Sequence, residues 1–275
     1  MKTVIIYNRE EIEKFADYNT KTYKFENVIF RCPIKYPGLW SIEATGYIDA
    51  IECIEIGGYI KAGGYIRSDK DIQADKYIQA HQHIDLNGNL ITKGYIDAID
   101  EIVVNGYIEA GEYLQTNGCI KTKKYIETGW RTEAGGCIQA DKYIKAGTFI
   151  QSGSYIEAAA YINANDYIKA DDYIKADDYI KTNEFVFSFN FDIKCSSLST
   201  SKLPFWRKYW AQQHPLKKYA PLILNKKNCW DTLRNIPTEK EKIEICNWEG
   251  WHPILKAHLE MFFRLKSEVY YFKGE

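Results

Sequence analysis

An apolar residue recurs at every sixth position of this chain from Ile42 to Val186, and the phase never changes. Of the 25 positions in this series, only Thr132 is polar. The residue two places after each is mostly small, as in Ala44 and Ser68. The unit therefore reads Tyr-Ile-x-Ala, followed by two residues drawn mainly from Gly, Asp, Asn and Lys. A repeat this regular is typical of solenoids, in which equivalent units stack on one another.

The spacing within the unit indicates a strand and not a helix. Alternate side chains of a strand point to the same face, so that Ile and the small residue share the inner face while Tyr and the variable residue share the outer one. Three units form one 18-residue coil with three short strands and three turns, and neighbouring coils pair as parallel strands. The sequence therefore predicts an all-β, three-sided parallel β-solenoid of about eight 18-residue coils.

The repeat resembles those of two solenoid families. Residues 105–116, Asn-Gly-Tyr-Ile-Glu-Ala-Gly-Glu-Tyr-Leu-Gln-Thr, are similar to the Gly-x-Ile-x-Ala steps of bactofilins, which form right-handed β-helices. Hexapeptide acyltransferases form left-handed β-helices, but their small inward residue normally precedes the aliphatic one by two, whereas here it follows. The resemblance covers residues 41 to about 190. It implies a fold, with a right-handed coil, much more than a function.

Two segments without the repeat flank the solenoid, which is predicted over residues 41–191. Residues 1–40 are expected to form a cap of strand, helix and strand, with strands over 2–7 and 23–35 and a helix opened by a capping box at 8–11. Residues 192–203 are predicted to be a polar linker. Residues 204–275 contain five of the seven tryptophans and are predicted to form a basic helical domain, which either seals the solenoid or binds a partner.

The two parts of the chain have net charges of opposite sign. Residues 195–275 carry 14 Lys plus Arg and 8 Asp plus Glu, whereas residues 1–194 carry 22 and 29. We therefore expect an acidic rod with a basic helical end that permits direct contact with nucleic acid, although no recognised DNA- or RNA-binding motif accompanies it. The candidate partner contacts in this end are Trp206, Arg207, Lys208, Trp210, Lys217 and Lys218.

Positions 18 residues apart lie on the same wall of the predicted solenoid, so the outward residues can be sorted by wall. One wall carries the series Tyr59, Tyr77, Tyr95, Tyr113, Arg131 and Phe149. Stacked rings stabilise neighbouring coils by about 0.5–1 kcal/mol per pair. The same series also offers a rigid surface to a partner. Arg131 is expected either to lie across the rings in a cation–π contact or to reach an acidic group of the partner.

A second candidate surface lies around the predicted fourth coil. There the outward positions include the aliphatic residues Ile91, Ile99 and Val103, close in sequence to His83 and Glu101. Exposed aliphatics in an otherwise polar series indicate either a patch beneath another segment or a binding site.

The sequence contains no nucleotide-binding, hydrolase or kinase motif. His81 and His83 are catalytic candidates because they lie on a predicted turn, where hexapeptide acyltransferases keep a catalytic histidine. The spacings of Cys229, Cys246, His252 and His258 match no common zinc pattern. We therefore expect no cofactor and no metal site.

Seven cysteines, an odd number without CxxC spacing, are expected to be reduced thiols. No apolar run approaches the ~20 residues of a membrane span, and the first residues do not resemble a signal peptide. The expected location is the cytoplasm, which would be that of a bacterial host cell if the chain is phage-encoded.

Together these features favour a non-catalytic binding protein that captures or blocks a protein or a protein–nucleic-acid complex. A small chain without catalytic motifs and with a divided charge resembles, in general style, the anti-CRISPR inhibitors by which phages block bacterial defence. Two alternatives stay open. One is a bactofilin-like scaffold that polymerises end to end, and the other is a hexapeptide-type acyltransferase with active sites between the rods of a trimer.

Overall fold

The chain winds into a β-solenoid with three parallel sheets, as predicted. The computed structural model describes residues 2–36, 38–183, 185–188 and 192–200. The strands of these described residues are numbered along the chain and counted below. They form about nine turns, where the repeat alone predicts about eight. The additional turn comes from residues on both sides of the regular repeat.

Sheet 1 has eleven strands. They are β1 (Thr3–Ile6), β4 (Asn27–Phe30), β7 (Ile48–Ala50), β10 (Ile66–Ser68), β13 (Ile84–Leu86), β16 (Ile102–Val104), β19 (Ile120–Thr122), β22 (Ile138–Ala140), β25 (Ile156–Ala158), β28 (Tyr173–Ala176) and β31 (Asp192–Lys194).

Sheet 2 has ten strands. They are β5 (Ile34–Tyr36), β8 (Ile54–Ile56), β11 (Ile72–Ala74), β14 (Leu90–Thr92), β17 (Ile108–Ala110), β20 (Ile126–Thr128), β23 (Ile144–Ala146), β26 (Ile162–Ala164), β29 (Tyr179–Thr182) and β32 (Ser197–Thr200).

Sheet 3 has eleven strands. They are β2 (Ala16–Asp17), β3 (Thr22–Phe25), β6 (Ser41–Ala44), β9 (Ile60–Ala62), β12 (Ile78–Ala80), β15 (Ile96–Ala98), β18 (Leu114–Thr116), β21 (Thr132–Ala134), β24 (Ile150–Ser152), β27 (Tyr167–Ala170) and β30 (Phe185–Ser188). From β3 onward the chain visits sheets 3, 1 and 2 in turn, so each coil adds one strand to each sheet.

The core is a stack of identical side chains. Ile66 pairs in register with Ile48 on one side and with Ile84 on the other, each one coil away, and all three side chains are fully buried. The small residue of each unit is also buried, next to the corner where two sheets converge. Burial of one branched aliphatic side chain per strand is the main driving force for this fold.

Hydroxyl groups at the small inward position are satisfied within the core. Thr92 Oγ1 donates to the Lys76 carbonyl oxygen at 3.0 Å, and Thr116 Oγ1 donates to that of Asp100 at 2.7 Å. Thr132, the polar exception in the isoleucine series, is fully buried, and its Oγ1 lies 3.1 Å from Thr128 Oγ1. A hydroxyl is therefore accepted in the core where a second polar group meets it.

Glycine at the corners serves close packing of neighbouring coils. No glycine in the described ranges has a positive φ. A Cβ atom on Gly94 would instead meet the carbonyl oxygen of Lys76, in the coil before it. Glycine is therefore required here because the stacked turns leave no space for a side chain, and not because the backbone is left-handed.

The first coil begins before the regular repeat. The prediction of a single strand over residues 23–35 is wrong, because this segment forms β3, β4 and β5, one strand on each of the three sheets. Tyr23 pairs with Ile42, 19 residues on, and Val28 pairs with Ile48, 20 residues on. One or two additional residues at each corner break the six-residue period while the strands keep their places.

The segment before this coil contains β1, helix α1 (Arg9–Glu13) and β2, which pairs with β3 in antiparallel orientation. Asn8 caps the helix, since its Oδ1 accepts the backbone N–H of Glu11 at 3.1 Å. Ile12 is fully buried and belongs to the same core as the isoleucine stack. In the part of the chain that the structure describes, no helix has the length and apolar character needed to cross a membrane.

The sheets also continue beyond the regular repeat at the other end. Residues 192–194 and 197–200, assigned to a linker by the sequence analysis, form β31 and β32 instead. Ile193 pairs with Ile174, 19 residues before it, whereas the regular spacing between coils is 18. Because of this one additional residue at the corner, the six-residue period does not extend into this coil. The predicted helical domain over 204–275 lies outside the described residues.

Candidate functional site

The aromatic series predicted on one wall forms a stack of four tyrosine rings along sheet 3, followed by Arg131 and then a second stacked pair. Tyr59, Tyr77, Tyr95 and Tyr113 stand at the corner before successive strands, with adjacent ring centroids 4.8 Å apart and ring planes within 2° of parallel. Phe149 stacks in the same way on Tyr167. The sorting of outward residues at a spacing of 18 is therefore confirmed.

The rings of this stack are half-buried and take part in the scaffold. The Tyr59 hydroxyl donates to Glu43 Oε2 at 3.4 Å, in the coil before it. Tyrosines of the other sheets make the same contact, as Tyr125 does with Glu109 Oε1 at 2.6 Å. Burial against neighbouring rings raises the pKa of Tyr77 to about 12. The stacked rings are therefore partly withdrawn from solvent by their neighbours in the coils before and after.

Arg131 lies across this stack. Its guanidinium carbon is 4.9 Å from the centroid of the Tyr113 ring, which confirms the predicted cation–π contact. Nη2 donates to Gln115 Oε1 at 2.9 Å, and Nε lies 3.5 Å from Glu133 Oε2 in an ion pair. Nε is buried and makes no hydrogen bond with the described residues. The guanidinium is therefore held in a fixed orientation at the surface.

Trp130, which sequence reasoning passed over, is a large and exposed apolar side chain beside this stack. It occupies the corner between β20 and β21 with 59% of its surface exposed. Its backbone is fixed on both sides, since its N–H donates to the Glu112 carbonyl at 2.8 Å and its carbonyl accepts the Thr148 N–H at 2.6 Å. The equivalent corners carry Gly, Lys, Glu, Thr or Asp, apart from Trp40, which is half-buried and stacks on Tyr23; an aromatic residue in this column of the regular repeat was the available signal.

These residues together form what we call the Trp130 surface, consisting of Tyr113, Trp130, Arg131 and Phe149. Arg131 stacks on the Tyr113 ring of the coil before, and Phe149 occupies the equivalent position in the coil after. Trp130 is the residue immediately before Arg131 at the same corner. Trp, Tyr and Arg are the residue types that contribute most to protein–protein binding. The backbone under the surface is fixed by the strand ladders of three neighbouring coils.

The three aliphatic candidates do not form one patch. Ile91 lies on sheet 2 and Val103 on sheet 1, and both are half-buried. Ile99 is 47% exposed at the corner between sheets 3 and 1. It borders a shallow groove whose lining includes His83, Glu101 and Cys119. Of the three candidates, Ile99 is therefore exposed as predicted, but it lies on a different part of the surface from Ile91.

The remaining candidates stand apart from the Trp130 surface. His81 is exposed at the corner between sheets 3 and 1, and the His83 ring stacks on Tyr65 with centroids 5.1 Å apart. Within the described ranges, no group of three or more His, Cys, Asp or Glu residues is placed to hold a metal ion. Trp206, Arg207, Lys208, Trp210, Lys217 and Lys218, and the four residues considered for zinc, lie outside the described residues.

Comparison with known proteins adds no family to this description. No protein-family model matches the chain. No curated protein and no solved structure matches it either. The likeness to bactofilins and hexapeptide acyltransferases therefore stays at the level of the repeat, and the function has to be argued from the surface.

Proposed function

We propose that this protein is a non-catalytic binding protein and that the Trp130 surface on sheet 3 is its docking site for a protein partner. The observation that carries the proposal is the exposed Trp130 side chain next to a guanidinium that is stacked on an aromatic ring. A large apolar side chain left in solvent, on a backbone held at both ends, is a feature of interaction surfaces.

The surface is organised before any partner arrives. Arg131 is held by Tyr113, Gln115 and Glu133, so little side-chain freedom is lost when it binds. Its guanidinium has five N–H donors, and one of them reaches Gln115 within the described part. The partner that fits is a protein surface with a carboxylate for Arg131 beside an apolar residue for Trp130.

Charge favours a protein over nucleic acid as the ligand of the rod. Residues 1–194 carry 29 Asp plus Glu against 22 Lys plus Arg, and an excess of acidic groups repels phosphates. Contact with the nucleic-acid part of a protein–nucleic-acid complex is proposed only for the basic residues beyond position 200. Inhibition of a bacterial defence nuclease, as by anti-CRISPR proteins, stays a prediction from the sequence, as does a cytoplasmic location.

A bactofilin-like scaffold is the weaker proposal because of one structural feature. End-to-end stacking needs an open coil at each end, whereas α1 and the buried Ile12 lie against the first coil. The acyltransferase alternative needs a histidine available to substrate. Of the two candidates, His83 is stacked on Tyr65, which leaves His81 for that role.

The test is capture of partners on the tagged full-length chain, with and without nuclease treatment, followed by measurement of the affinity for the partner identified. Trp130→Ala is expected to weaken binding at least about 30-fold, because truncation of a central Trp typically costs about 2 kcal/mol or more. Tyr95→Ala combined with Tyr113→Ala is expected to weaken it as well, since it removes the Tyr113 ring beneath Arg131 and the ring that stacks on Tyr113.

The matched control is Tyr125→Ala combined with Tyr143→Ala. These two rings stack in the same way with centroids 4.7 Å apart, but they belong to sheet 2. Their loss removes an equivalent pair of stacked rings from another sheet and should leave capture unchanged. Equal capture by the Trp130→Ala variant and the unmodified protein would discard the Trp130 surface, and loss of capture by the sheet 2 control would show that the effect is one of folding.

A further inference from the structure

Two cysteines meet on sheet 1, on the opposite side of a corner from the surface proposed above. Cys119 and Cys137 stand before β19 and β22, one coil apart, at a place where the outward column of rings is interrupted. Their Sγ atoms are 2.7 Å apart, and the Cys137 N–H donates to Cys119 Sγ at 3.0 Å. Both are free thiols in the structure.

The backbone places this pair within reach of a disulfide. β19 and β22 are neighbouring parallel strands, in which Ile120 pairs with Ile138. Paired residues on neighbouring strands lie about 4.8 Å apart, within the Cα separation of about 4.4–6.8 Å that disulfides span. A bond of about 2.05 Å requires the sulfur atoms to approach by about 0.65 Å from their present distance of 2.7 Å. The two strands are already paired in register, so the two side chains already face each other from neighbouring coils.

The two thiols differ in their access to solvent. Cys119 is half-buried and lines the shallow groove bordered by Ile99 and Glu101. Cys137 is 3% exposed and lies behind it. Burial raises the pKa of the Cys137 thiol, and the neighbouring Cys119 raises it further. A reagent in solution therefore meets Cys119 first.

We propose that Cys119 and Cys137 are a thiol–disulfide exchange site, in which Cys119 reacts with a low-molecular-weight disulfide and Cys137 completes an intramolecular bond. The Cys119 thiolate attacks one sulfur of the small disulfide, a mixed disulfide forms at Cys119, and one small thiolate leaves. The Cys137 thiolate then attacks Cys119 Sγ and expels the second small thiolate. The two protons lost by the cysteines end on the two small thiols released, and the small disulfide is the oxidant.

The product is a covalent link between two neighbouring coils. Cys137 is already in contact with Cys119, so the second step is expected to be faster than the first, and the mixed disulfide should not accumulate. The link changes the face that holds the groove and leaves sheet 3 untouched. This inference therefore stands independently of the proposed docking site.

The test uses the reduced full-length chain and bis(2-hydroxyethyl) disulfide as the small disulfide, under native conditions. After the remaining thiols are alkylated, trypsin releases Cys119 in residues 94–121 and Cys137 in residues 132–142. The expected result is one linked species that joins these two peptides. Recovery of both peptides separately, each alkylated or carrying mercaptoethanol, would overturn the proposal.

Three serine variants assign the roles. Cys137→Ser is expected to stop at a stable mercaptoethanol adduct on Cys119, whereas Cys119→Ser leaves Cys137 unmodified over the same time. Cys53→Ser is the matched control. Cys53 lies at the same corner position on sheet 2, but the equivalent residue of the next coil is Asp71 and not a cysteine. This variant should leave the linked species unchanged. Faster modification of Cys137 than of Cys119 would refute the assigned order, and the unmodified chain tests the link itself even if a variant fails to fold.

Discussion

The pair of hydroxyls inside the core gives the sharpest test of how this solenoid is stabilised. Thr132 and Thr128 are fully and almost fully buried, and their Oγ1 atoms lie 3.1 Å apart. We consider Thr132→Ile and Thr128→Ala, which restore the repeat at both positions, singly and together. Each single change leaves one buried hydroxyl without its partner, whereas the double change removes both.

The expected magnitudes follow from this contact. An orphaned buried hydroxyl costs about 1–3 kcal/mol. Thr128→Ala also loses a buried methyl group, about 0.8 kcal/mol, and should destabilise the protein by about 2–4 kcal/mol. Thr132→Ile gains an ethyl group, which offsets much of the penalty at Thr128, so its net cost is smaller. The double variant is expected to be close to neutral, and thus less destabilised than the sum of the singles by at least about 2 kcal/mol, because each single variant contains one orphaned-hydroxyl penalty and the double contains none.

The assay is urea unfolding followed by far-ultraviolet circular dichroism, analysed as a double-mutant cycle. Thr92→Ala serves as the control partner for Thr132→Ile, because the Thr92 hydroxyl donates to the backbone carbonyl of Lys76 and not to a second buried hydroxyl. Thr92 also lies about two coils from Thr132, so the two changes should add. A coupling between Thr128 and Thr132 below about 0.5 kcal/mol would refute the reasoning, since it would mean that the hydroxyls do not depend on each other.

Three further predictions concern the corner, the ring stack and the core. Gly94→Ala should destabilise the solenoid by about 1–3 kcal/mol in urea unfolding, because its Cβ would meet the Lys76 carbonyl oxygen. Tyr77 has a raised pKa of about 12 in the folded protein, so it holds its proton more tightly when folded. Its contribution to stability is therefore complete below pH ~10 and is lost as the pH rises towards 12, and melting temperatures should fall over that range. Ile102→Ala should cost about 2–5 kcal/mol, as its side chain is fully buried.

Each of these predictions has an internal comparison. Gly38→Ala should be tolerated, since a Cβ there lies 3.9 Å from the Trp40 ring. Ile99→Ala should change the unfolding free energy by less than about 0.5 kcal/mol because Ile99 is 47% exposed. A melting temperature that stays constant from neutral pH to pH ~12 would contradict the raised pKa of Tyr77 in the folded protein.

Most of the regular solenoid was predictable because the period of the side chains and the period of the coil coincide. Once Ile42 and each sixth residue after it face inward, the 18-residue coil and the assignment of Tyr59, Tyr77 and Tyr95 to one wall follow from strand geometry alone. The coil formed by residues 22–36 was missed because pairing between strands tolerates additional residues at a corner, whereas a search at a fixed spacing does not.

The candidate sites were harder to find than the fold, because they depend on proximity between coils. Trp130 looked like one turn residue among many until its exposure was known, together with the stacking of its neighbour Arg131 on Tyr113 of the coil before. Cys119 and Cys137 looked scattered, although they are 18 residues apart, which is one coil. Whether two stacked side chains repel, bond or leave a groove depends on their rotamers and on the residues of the next coil.

The sequence by itself determined the strand period, the inward and outward faces and the three-sided coil, since these depend on local alternation of side chains. Only the tertiary structure decided where the solenoid begins, how the buried hydroxyl of Thr132 is satisfied, and which outward residues meet. The reason is physical: a strand face is set by neighbours in the chain, whereas the partner of Thr132 or Cys119 is set by how the chain turns and how its coils stack.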